Sequence, residues 1–101
     1  MEEIYLITVF QKMKLTENGL VDLGYHRCVG WFNNEGEARN AVENNFSNMQ
    51  DNLYNYAVIE KMMSGIKIPE TSKSFYEFKN KRFVEIDTPE ILKGFSNFSI
   101  G

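Results

Sequence analysis

The chain has 101 residues, one tryptophan, a hydrophobic share of 43% and a formal net charge of −3, with a calculated pI near 5.1. That length suits one domain with a core of its own, and the composition excludes a disordered chain. The acidic balance argues against nucleic-acid binding, which needs clustered Lys and Arg. The nearest such group, Lys79-Asn80-Lys81-Arg82, reads as a solvated hairpin tip. The lone Cys28 rules out an internal disulfide and a four-cysteine zinc site, and is expected to be a small buried hydrophobe. Met1-Glu2-Glu3 is acidic where a signal peptide carries positive charge, and no apolar run approaches the ~20 residues of a membrane span. A soluble, cytoplasmic protein is expected.

The first element is Ile4-Tyr5-Leu6-Ile7-Thr8-Val9-Phe10, an apolar, β-branched run that predicts a central strand buried on both faces. Lys12 to Leu23 is polar and carries Glu17-Asn18-Gly19, so it reads as a long hairpin connection. Tyr25 to Phe32 is then a second strand, antiparallel to the first, in which Gly30 marks a bulge or a close approach by something else. A helix follows, with Asn34 as its cap and Glu37 three positions on. Ala38, Ala41, Val42, Asn45 and Phe46 form its narrow apolar stripe, while Arg39, Asn40, Glu43 and Asn44 take the outer side.

The helix leads to Tyr54-Asn55-Tyr56-Ala57-Val58-Ile59-Glu60, a middle strand around which the chain is organised. Alternation puts Tyr54, Tyr56, Val58 and Glu60 on one face and Asn55, Ala57, Ile59 and Lys61 on the other. After a turn at Ser64-Gly65 and a loop from Pro69 to Lys73, the runs 74–79 and 82–86 form a two-residue hairpin around Asn80-Lys81. Thr88, Pro89 and Glu90 start a short helix over Ile91–Phe95. The tail Asn97-Phe98-Ser99-Ile100-Gly101 alternates like a docked strand. The order is ββαβββαβ. It predicts an α+β domain: an antiparallel sheet of five or six strands, the main helix on one face, and loops, a ligand or a second copy covering the other.

His26 and Cys28 share a strand face, but neighbours on one face are seldom placed to transfer a proton. A hydrolase using His26 is therefore an alternative, not the leading reading, and no catalytic residue, cofactor or metal site is assigned. There is no Gly-rich phosphate loop. Glu60 sits either at the solvent end of its strand or inside it, as an acceptor for a ligand or a partner for Arg27. Tyr25, Arg27 and Trp31 share a face by parity. With Tyr54, Asn55, Tyr56, Tyr76 and Asn97 they offer flat aromatics, a guanidinium and amides. Such groups grip a planar, hydrogen-bonding or anionic ligand, anchor a protein interface, or pack with their hydroxyls at the surface. The candidate ligand-binding residues are Arg27, Trp31, Tyr54, Tyr56, Glu60, Tyr76 and Asn97.

The 54–60 strand, Gly65, the Asn97–Gly101 ending, the Tyr5-Leu6-Ile7-Thr8 strand start, Arg27 with Gly30, Glu37-Ala38 and Pro89-Glu90 together resemble a family of small proteins from Firmicutes and their phages. The resemblance covers nearly the whole chain. It departs at Phe75-Tyr76-Glu77-Phe78-Lys79, where the family usually carries a Trp/Tyr-Tyr-Lys run. Small phage-type proteins are mostly binders, including inhibitors of host proteins and sponges for nucleotide immune signals. The resemblance thus implies a non-enzymatic binder of a small, nucleotide-like ligand, or alternatively a module that binds and inhibits a host protein.

Overall fold

The computed structural model describes residues 3–51, 53–63, 66–67 and 73–89. Its core is an antiparallel sheet of five strands: β1 (Glu3–Phe10), β4 (His26–Phe32), β5 (Tyr56–Met63), β7 (Lys73–Lys79) and β8 (Arg82–Ile86). They lie in the order β4-β1-β5-β7-β8, and a two-residue β6 (Ile66–Lys67) pairs with the end of β5. The run over 54–60 therefore supplies the middle strand, as its residues predicted, although pairing begins at Tyr56. Both β4 and β5 are antiparallel to β1, so they run parallel to each other on either side of it. Helix α1 (Glu35–Glu43) makes the crossover between them. The expected short helix over 91–95 and the expected terminal strand lie outside the described residues.

Direct cross-strand partners share a face, so the register assigns each side chain. Tyr5, Ile7 and Val9 face Lys61, Ile59 and Ala57, and Tyr76 and Ser74 follow on β7. This is the helix side. Ala38, Ala41 and Val42 of α1 join Tyr5, Ile7, Val9, Ala57, Ile59, Tyr76 and Phe83 in the larger core cluster. Each fully buried aliphatic or aromatic side chain there contributes about 1.5–3 kcal/mol. Small alanines on the stripe let the helix lie close to the sheet.

The second face carries Thr8, Phe10, Val58 and Phe75. Phe10 stacks on its cross-strand partner Tyr56, with ring centroids 5.4 Å apart. This face is covered in part by the excursion between β1 and β4, whose Met13, Val21 and Leu23 pack on Phe10, Val58 and Phe75. The excursion is more ordered than its polar composition implied. β2 (Lys14–Leu15) and β3 (Val21–Asp22) pair as a miniature hairpin, closed by Gly19 N–H donating to Thr16 O (3.0 Å). Gly24 returns the chain to β4 with φ +68, and a Cβ there would lie 2.4 Å from Gln11 Oε1. The left-handed φ favours glycine at that position, and a side chain would in addition have to displace Gln11.

Asn34 caps α1 as expected, its Oδ1 accepting from Glu37 N–H at 3.1 Å. The far end departs from the periodic reading. Asn44 ends the helix, and Asn45 (φ 48), Asn48 (φ 51) and Asp51 (φ 51) all adopt left-handed backbone. Asparagine and aspartate tolerate this conformation better than other residues with a side chain. The helical period is cut before Phe46, which turns out to solvent at 65% exposure instead of completing the apolar stripe.

The β7–β8 hairpin turns on Asn80 and Lys81, both with positive φ (50 and 69). This is the backbone of a two-residue I′ turn, where glycine is preferred at the second position. Lys81→Gly is expected to raise stability by about 0.5–1 kcal/mol, read from the urea unfolding midpoint at unchanged slope.

Candidate ligand groove and the Arg39 clamp

Strand β4 is where alternation breaks. Thr8 pairs with Cys28 but Ile7 pairs with Gly30, so Val29 is an extra residue in a β-bulge. The bulge overturns the parity argument for this strand. Arg27 pairs with Val9 on the helix side, whereas Trp31 pairs with Leu6 on the opposite side. Val29, the inserted residue, packs with Phe32 against the helix-side core.

Between β4 and the end of α1 lies a groove of about 510 Å³, lined by Ile7, Val29, Gly30, Phe32, Ala41 and Met49, with Arg27, Cys28, Trp31 and Phe46 around them. That volume falls within the range typical of small-molecule sites. Arg27 is exposed, yet its guanidinium is held 5.7 Å from the centroid of the Tyr54 ring. Such a cation–π contact is worth about 0.5–1 kcal/mol at an exposed site. It fixes the position of the cation without neutralising it. Phe46 adds an exposed ring on the helix side, and Trp31 borders the groove at 60% exposure.

The candidate residues are thus divided. Arg27 and Trp31 line the groove, from opposite faces of the edge strand. Tyr54 is 7% exposed and belongs to the helix-side core. It precedes the strand pairing, so alternation did not carry it to the Tyr56 face. Tyr56 is on the second face, against Phe10. Tyr76 is fully buried below the helix. Asn97 lies outside the described residues.

Glu60 is 2% exposed, which overturns its placement at the solvent end of the strand. Its cross-strand neighbours are Leu6 and Lys73, so a basic side chain lies directly across from the buried carboxylate. Partnership with Arg27 is excluded, because Arg27 is on the other face of the sheet. Cys28 is exposed, not buried, because the edge of the sheet leaves its face open there. His26 is exposed as well, with Nδ1 3.4 Å from Gly24 O, and it does not line the groove. Among the described residues, no three His, Cys, Asp or Glu side chains converge as a metal site, and no helix is long and apolar enough to cross a membrane.

Sequence reasoning placed Arg39 on the outer side of its helix, and the structure makes it a clamp. Nε donates to Glu35 Oε2 (3.1 Å), Nη1 to Tyr76 Oη and Glu85 Oε1 (both 3.0 Å), and Nη2 to Ser74 Oγ (3.0 Å). One guanidinium therefore ties α1 to β7 and β8. Partial burial opposes its charge, but the hydrogen bond it donates to Glu35 and the charges around it outweigh that and raise its pKa. Only the Glu35–Arg39 spacing of four was visible in the sequence. Beside the clamp, Tyr5, Glu35, Arg39, Ile59, Lys61 and Ser74 enclose a smaller hollow of about 250 Å³.

Burial pushes the Tyr76 hydroxyl up to about 12 from 10.0, partly offset by the adjacent Arg39. The raised value means that the folded state holds this proton more tightly than the unfolded chain. Its contribution is complete below pH 10 and disappears as pH rises to about 12. A tyrosinate absorbance titration should show a late step near pH 12, which is absent in Tyr76→Phe.

No family model, curated protein or solved structure matches this chain.

Proposed function

We propose that this chain is a non-enzymatic binding protein whose groove beside β4 takes a planar, anionic small molecule of the nucleotide class. The observation that carries the reading is Arg27, a guanidinium held by the Tyr54 ring at 5.7 Å and bordering an otherwise largely apolar groove. A flat ring would lie between the Phe46 side and the β4 backbone, and its phosphate or carboxylate would meet Arg27 in charge-assisted hydrogen bonds. Among the described residues, neither Asp nor Glu lines the groove to oppose an anion. The resemblance to small Firmicutes and phage proteins agrees with sequestration of such a ligand in the cytoplasm.

A second reading, docking of a host protein, draws on a separate observation. Among the described residues β4 pairs only with β1, and Trp31 and Phe46 are exposed along that edge. Aromatic side chains at a sheet edge are frequent anchors for a protein partner.

Trp31 is the chain's one tryptophan, so its fluorescence reports on the groove directly. Titration with adenosine and guanosine 5′-monophosphates, followed by fluorescence and calorimetry, is expected to give saturable binding. Arg27→Gln should weaken it about tenfold or more through loss of the charged contact. Absence of heat and of any fluorescence change with both nucleotides would reject the small-ligand reading. A stoichiometric host protein captured by the native chain but not by Trp31→Ser would then favour the second.

A further inference from the structure

We propose that Gly30 is the specificity-determining position of the groove: its missing side chain is the space into which the edge of the ligand fits. This rests on the groove being a ligand site and goes further, by naming what sets the size of the ligand. Glycine weakens a strand and is kept where backbone conformation, close packing or a ligand requires it. Gly30 meets neither of the first two requirements. Its φ is not in the left-handed region, where Gly19 and Gly24 lie. Among the described residues, a Cβ built on it has no heavy atom within 4 Å. At Gly24, by contrast, φ is left-handed and the same Cβ would lie 2.4 Å from Gln11 Oε1, so that the glutamine would have to move.

The open space at Gly30 belongs to the groove. Gly30 pairs with Ile7 on the helix side, and both line the cavity together with Val29, Ala41 and Met49. The bulge brings this about, because the inserted, half-buried Val29 packs against the helix-side core and sets the next residue at the groove wall beside it. A side chain at position 30 would project into the volume that the proposed ligand occupies, beside Arg27. The fold would gain from the change, since a β-branched residue suits a strand better than glycine.

The test compares native protein with Gly30→Ala, Gly30→Val and His26→Val, the last placed on the opposite face of the same strand, outside the groove, as a control. Thermal unfolding is measured for each, along with calorimetric binding of adenosine 5′-monophosphate. The inference expects unfolding temperatures of the Gly30 variants at or above the native value. Binding should weaken partly for Ala and about tenfold or more for Val, by overfilling a fitted site, and should be unchanged for His26→Val. Native-like binding by Gly30→Val would overturn the inference and leave the ligand reading standing. A marked fall in its unfolding temperature would also overturn it, by showing that the fold itself needs this glycine. Failure of the native protein to bind the nucleotide would reject the ligand reading, and the assignment of Gly30 with it.

Discussion

The pairing of β1 with β5 is the constraint on which the other elements depend. These two strands meet over eight consecutive residue pairs at the centre of the sheet, and a slip of one residue would exchange every side chain between its faces. The pairing commits Ile7, Val9, Ala57 and Ile59 to the helix and Phe10, Val58 and Tyr56 to the opposite side. Both sides are apolar, so both need cover. The helix supplies one cover and the β2–β3 excursion part of the other, which explains why a polar fifteen-residue connection folds back with Met13, Val21 and Leu23 turned inward.

Two devices then place chemistry on this frame. Arg39 reaches from the helix to side chains of β7 and β8, and so fixes the helix at the end of the sheet opposite β4. The β4 bulge changes which residues face the helix and leaves a groove beside the edge strand. Arg39 has its charge matched by Glu35 and Glu85, whereas Arg27 is steadied by an aromatic ring that leaves its hydrogen-bond donors available to an anion. The contrast separates a cation that holds the fold from one suited to a ligand.

Most of the architecture was legible in the residues. The alternation of 54–60, the apolar run 4–10, the Asn34 cap and the two-residue spacing at Asn80-Lys81 are local signals, and local signals survive into the fold when the tertiary environment agrees with them. Gly30 also announced an irregularity, and a bulge is there. The candidate site was less legible. Parity grouped Tyr25, Arg27 and Trp31, and one inserted residue, Val29, separated Arg27 from Trp31. Helical periodicity assigned Phe46 to the core, but the cap at Asn44 and the left-handed Asn45 ended that periodicity first.

By itself, then, the sequence determined the α+β class, the antiparallel pairing of β4 with β1, the central place of the 54–60 run and the capped crossover helix. These follow from side-chain period, turn chemistry and capping, each contained within a few consecutive residues. Tertiary structure alone decided that Glu60 is buried on the face away from Arg27, that Arg39 is shared among three elements and that Arg27 rests on Tyr54 beside an open glycine. Each of those outcomes depends on which residues meet across strands distant in the chain. A single bulge or helix end resets that register, and neither the composition nor the local pattern carries it.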